Sequence, residues 1–171
     1  MVNLLVAAKS AIRIYAAAIA LGTNSSISTS ETAAAMAELY LPNSTSFTLG
    51  SVTVFPDTTV ARAGIEGTLI RFHKTGLGAD IRLHHSRVDV VSAQSAICWV
   101  TWKIFPKGSE VGKGTGRKGA KSGVPKPWTF VDVYGFRLAA NRTGGLEGGW
   151  EWSNADDEYL KLAENYPAYF S

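Results

Sequence analysis

One cysteine, Cys98, and three histidines are all this sequence holds of the residues that commonly cross-link chains or bind transition metals. A single thiol excludes an intrachain disulfide, so the fold must close on its own apolar core. It also points to a reducing compartment, the cytoplasm. The histidines show no ligand spacing with one another or with Cys98, so no metal and no cofactor is expected. Charge is scarce as well, at 18% against 46% hydrophobic residues, a balance that excludes a disordered chain. Long uncharged runs are missing too. Residues 2–21 are apolar, but Lys9 and Arg13 interrupt them, and a signal peptide carries its charge ahead of the apolar core. No membrane association is expected. The lack of any acid before Glu31 leaves an organelle presequence open.

The net charge of +3 is unevenly spread. Residues 106–127 contain Lys107, Lys113, Arg117, Lys118, Lys121 and Lys126 against Glu110 alone, so the basic character belongs to one segment. Nucleic-acid binding needs a basic face on an ordered scaffold, and none is expected here. Within that segment, Gly112 to Ser122 looks like a phosphate cradle. It lacks the Walker pattern, because Ala120 stands where lysine should follow Gly119, and Pro125 and Pro127 replace the helix. It reads as a flexible basic hairpin loop.

Leu5, Ala8, Ile12, Tyr15 and Ile19 fall at steps of three and four and predict a helix that Gly22 ends. A second helix opens at Ser30 and Glu31 and runs to Leu39, before Pro42. Short strands follow at residues 46–49 and 52–55. Ala61, Ile65, Leu69 and Phe72 mark a third helix. The period then changes to two, and residues 81–91, 96–105, 128–138 and 146–153 read as strands. A last helix spans residues 156–165. Three helices ahead of a strand meander predict one α+β domain over residues 1–171, with a curved antiparallel sheet under a helical layer and a cavity between them.

Three phrases carry a family resemblance. Gly64-Ile65-Glu66-Gly67 lies on the third helix. His84-His85 precedes Val88-Asp89-Val90-Val91 and Ala96-Ile97-Cys98-Trp99-Val100-Thr101-Trp102. Asp132-Val133-Tyr134-Gly135-Phe136-Arg137 is followed by Gly148-Gly149-Trp150-Glu151-Trp152. Together they resemble the nuclear transport factor 2-like, or SnoaL-like, superfamily, and the tryptophan-rich ending is similar to its fungal-type members. The resemblance implies a cone-shaped α+β barrel. It also implies either a cofactor-free isomerase, cyclase or dehydratase acting on a polyketide- or terpenoid-like molecule, or a non-catalytic module that binds a hydrophobic ligand or a protein.

Strand parity then selects candidates. Trp128, Phe130, Asp132, Tyr134, Phe136 and Leu138 share a face, which places an acid within an aromatic row. Such an acid is desolvated, and it serves either as a general acid or base or as half of a structural ion pair. His84 and His85 are adjacent, so one should face inward; the resemblance puts the pair at the pocket edge, and one of the two is the expected acid–base partner of Asp132. Tyr15, on the first helix, could polarise a carbonyl or simply pack. Tyr40, Trp102, Phe130, Tyr134 and Phe136 are the expected substrate-binding wall. The outward row Ile97, Trp99 and Phe105, alternating with Thr101 and Lys103, predicts a homodimer through the exposed sheet face.

Overall fold

The protein was analysed as a computed structural model, which describes residues 2–109, 123–140, 142 and 145–171. The basic loop expected at 106–127 therefore lies mostly outside the described residues.

The first three helices each begin at a side chain that satisfies otherwise unpaired backbone N–H groups. Helix α1, Leu4–Ala20, starts where Asn3 accepts from the Val6 amide at 3.2 Å. Helix α2, Thr29–Ala37, has a full capping box: Ser28 Oγ accepts from the Glu31 amide, and Glu31 accepts from the Ser28 amide at 2.8 Å. Those bonds hold the Glu31 carboxyl below its ordinary range. Helix α3, Thr58–Lys74, starts where Asp57 accepts from the Val60 amide at 2.9 Å. Residues Leu4, Ala8, Ile12, Tyr15 and Ile19 of α1 are buried, whereas Leu5 is exposed, so the stripe begins one residue earlier than its spacing suggested. With the turn that follows it, α1 is long and apolar enough to cross a membrane, but its buried stripe packs on the protein's own sheet.

The strands are β1 Tyr40–Thr48, β2 Ser51–Phe55, β3 Ile81–Val90, β4 Ser95–Ile104, β5 Trp128–Leu138 and β6 Gly148–Asn154. They form one curved, unclosed sheet in the order β2-β1-β6-β5-β4-β3. This is the expected α+β cone, with two differences. The sheet is mixed, because β6 returns to lie parallel to β1 while every other pair is antiparallel. A second difference is where β1 begins. Pro42 lies inside β1 instead of stopping α2, and the ladder is irregular between Tyr40 and Thr45, where Asn43 takes a positive φ of 59°. Proline is tolerated there because a bulge already lacks the regular ladder bond.

On β4 and β5 the alternation is as read. Ala96, Cys98, Val100, Trp102 and Ile104 are buried, as are Trp128, Phe130, Asp132, Tyr134 and Phe136. Helix α1 lies across the inner faces of β3 to β6. Two glycines let backbone and rings approach closely. At Gly135 a Cβ would run into the Trp152 indole, which lies over it from the neighbouring strand, and at Gly149 it would meet the Leu39 carbonyl oxygen. Trp150 N–H donates to that same carbonyl at 2.7 Å, tying β6 to the start of β1. Helix α4, Asp156–Asn165, then folds back onto β5 and β1.

Candidate functional site

Between the inner face of the sheet and helices α1 to α4 lies a cavity of about 270 Å³. That is just below the roughly 300–1,000 Å³ typical of small-molecule sites. Apolar and aromatic side chains make most of its wall, including Tyr15, Tyr40, Trp102, Phe130 and Tyr134 from the expected set. Phe136 is buried on the same face of β5 but packs elsewhere, beside a minor cleft under α1.

Asp132 is the polar centre of the wall. Its residue is only 6% exposed, and among the described residues no cation pairs with it. Tyr134 Oη donates to Oδ2 at 3.1 Å, and Oδ1 has no partner among the described residues. Burial raises its pKa well above the ordinary carboxyl range, and the nearby Glu158 carboxyl raises it further. The structural ion pair considered from the sequence is therefore not what holds Asp132 in place.

Glu158 is the partner that parity did not reveal. It follows two acids that are both engaged in structure. Asp156 accepts from the Leu49 amide and from Asn154 Nδ2, and Asp157 accepts from the Val131 amide at 2.7 Å. These bonds pin the first turn of α4 to β5 and to the β1–β2 turn, leaving Glu158 to line the cavity with Asp132. A helix N-terminus favours an anion by about 0.3–1 kcal/mol. Desolvation outweighs it and pushes the Glu158 pKa up from 4.5 to about 7, a change equivalent to roughly 3 kcal/mol.

Three phenols surround the carboxyl pair. Tyr15 and Tyr40 are hydrogen-bonded through their hydroxyls at 3.3 Å. Burial raises the Tyr15 and Tyr134 pKa values well above 10 and that of Tyr40 to about 12, so all three stay protonated at neutral pH. The Tyr15 ring meets Trp102, Tyr134 and Trp150 edge to face at 5.5–6.1 Å, which fixes its position.

His84 and His85 are not part of this constellation. Both are exposed on β3, which is an edge strand of the sheet. The ladder pairs Leu83 with Trp102 and His85 with Thr101, so His84 is the extra residue of a bulge and His85 shares the outer face with Thr101. The expected histidine partner for Asp132 is thus replaced by an acid from α4. His73 is likewise exposed.

No protein-family model matches this sequence, and no curated protein matches it either. Solved structures do match in shape. An NTF2-like protein of unknown function from Shewanella oneidensis is 10% identical, with a TM-score of 0.57 over 89% of this chain and 98% of that one. A ketosteroid isomerase-like protein from Erwinia carotovora is 13% identical, with a TM-score of 0.57 over 90% and 95%. A domain of unknown function with a cystatin-like fold from Nostoc punctiforme is 13% identical, with a TM-score of 0.55 over 91% and 83%. At these identities the likeness establishes the cone-shaped fold of the NTF2-like superfamily.

Proposed function

We propose that the protein is a cofactor-free acid–base catalyst that isomerises, cyclises or dehydrates a small, largely apolar molecule of the polyketide or terpenoid kind. The observation that carries this reading is the buried Asp132 carboxyl in the cavity wall, one oxygen held by Tyr134 and the other unpartnered among the described residues, with Glu158 beside it. Structural carboxyls are normally paired when buried, and an unpaired one in a cavity wall is a hallmark of chemistry. The name of the Erwinia fold neighbour agrees with this reading.

The two acids divide the work by environment. Burial and the neighbouring Glu158 carboxyl push Asp132 towards its protonated form, and it is the proton donor in this reading. Because Oδ2 accepts from Tyr134, its proton sits on Oδ1, free to hydrogen-bond a substrate carbonyl. Glu158, with a pKa of about 7, is partly ionised and is the base. It removes a proton from the carbon next to that carbonyl, and the electron pair moves onto the carbonyl oxygen. There the Asp132 proton stabilises the enolate. Glu158 then returns the proton to a different carbon, completing an isomerisation with atoms and charge conserved. In a dehydration the same enolate expels a β-hydroxyl, which leaves as water after taking the proton from Glu158.

The test is proton exchange in D2O. Wild-type protein incubated with a panel of small cyclic ketones and enones should wash deuterium into their α-positions above the buffer rate, followed by proton NMR. Glu158→Gln should abolish the excess. No excess with any panel member, or equal rates for the variant, would contradict the proposal.

A further inference from the structure

The cavity's charge is one-sided. Its described lining includes two carboxyls, Asp132 and Glu158, and no lysine, arginine or histidine. Of the described cations, Arg71 comes near through Tyr169, whose ring it covers at 5.6 Å, but it does not reach the lining. Eight lining residues are aromatic, so the wall presents π-faces as well as acids. A carboxylate or phosphate ligand would enter this space against two acids with no counter-ion from the described lining. A compact organic cation would find the opposite conditions: ring faces that attract it by their quadrupoles, and carboxyls that neutralise it. The Asp132 carboxyl satisfies the second requirement independently of the rings, since it is buried, lines the cavity and keeps Oδ1 unpartnered among the described residues.

We infer that the cavity selects ligands carrying a basic or quaternary nitrogen, with the ammonium group held between the aromatic wall of Tyr15, Trp102 and Phe130 and the Asp132–Glu158 pair. This goes beyond the catalytic reading, because it concerns what binds and holds whether or not the bound molecule reacts. Volume is compatible with it, since a trimethylammonium group with a short chain fits readily within about 270 Å³. Desolvation keeps the carboxyl pair partly protonated at neutral pH, so the site holds little net charge when empty. An arriving cation favours their ionised forms, and the selectivity should be greatest above pH 7.

The test compares choline with 3,3-dimethylbutan-1-ol, which has the same shape with carbon in place of the charged nitrogen. Calorimetric titration at pH 8 should give wild-type protein at least about 10-fold tighter binding of choline. Glu158→Gln should reduce that preference, and a double variant that adds Asp132→Asn should remove it. Saturation-transfer NMR on the wild type alone should show magnetisation passing from aromatic protons to the N-methyl groups, a readout that does not depend on the variants folding. Equal or tighter binding of the neutral alcohol would overturn the inference. So would no choline binding up to about 100 mM, or a preference that survives in the double variant. Loss of deuterium exchange with retained choline preference would mark the cavity as a binding site only. Exchange without cation preference would leave the chemistry standing and remove this inference.

Discussion

Replacing Glu158 by Gln tests the cavity without any substrate. In the folded protein the Glu158 carboxyl titrates at about 7, against an ordinary value of 4.5. The folded state therefore binds this proton more tightly than the unfolded state. Between those two pH values it carries more protons, so stability falls as pH rises through the window. The stability lost is on the order of 3 kcal/mol between pH 4.5 and pH 7 and above. Asp132 is shifted in the same direction, so its contribution adds to the fall. Glutamine keeps the shape and has no proton to lose. At pH 5 the variant should match the wild type closely, and at pH 8 it should be the more stable by as much as ~3 kcal/mol. The residual slope should belong to Asp132 and should vanish in the double variant with Asp132→Asn. Urea unfolding at pH 5 and pH 8 measures this directly, provided the slope of free energy on urea is unchanged. A wild-type stability that is flat or rises from pH 5 to pH 8 would refute the reasoning, as would a Glu158→Gln variant with the same fall.

Three further outcomes follow from the same structure. Asp132→Asn should leave binding of the best panel ketone intact but lower deuterium exchange into it by about 10²–10⁴-fold, measured as the initial NMR exchange rate. Gly135→Ala should force the Trp152 indole off the strand and cost roughly 1–3 kcal/mol in urea unfolding, while leaving probe binding unchanged because that contact lies on the outer face. The outer face of β3 and β4 carries Trp99, 39% exposed, with Arg87 over its ring at 5.2 Å, and Phe105 with Arg82 over its ring at 4.3 Å. We propose that this face joins two copies; sedimentation velocity at micromolar concentration should show a dimer for the wild type and a monomer for Trp99→Lys.

What the sequence made legible was whatever is written with a local period. The two-residue alternation of β4 and β5 placed Trp102, Phe130, Asp132 and Tyr134 on the inner face, and the stripe of α1 placed Tyr15 there. Local signals weakened where the chain breaks its own rule. Pro42 looks like a helix stop, yet it sits in the bulged start of β1, so Tyr40 opens a strand instead of closing a helix. The histidine pair could not be resolved because β3 has apolar residues on both faces, and the bulge at His84 removes the parity argument altogether. Non-local features were invisible. The parallel pairing of β6 with β1 joins segments about a hundred residues apart and leaves no mark in either one. Glu158 is one of three consecutive acids, a run that by its composition marks only a helix N-terminus. Only the anchoring of Asp156 and Asp157 to neighbouring strands distinguishes it as the acid that reaches Asp132's cavity.

The central claim is that a protonated carboxyl and a titrating carboxyl share one cavity. Carbon-13 NMR of protein labelled at the aspartate and glutamate side-chain carboxyls, assigned with Asp132→Asn and Glu158→Gln, reads both groups directly. The account predicts that the Glu158 resonance titrates near pH 7 and that the Asp132 resonance stays at its protonated position through neutral pH. If both resonances instead titrate in the ordinary range near pH 4, the carboxyls are solvated anions at neutral pH and the account is wrong.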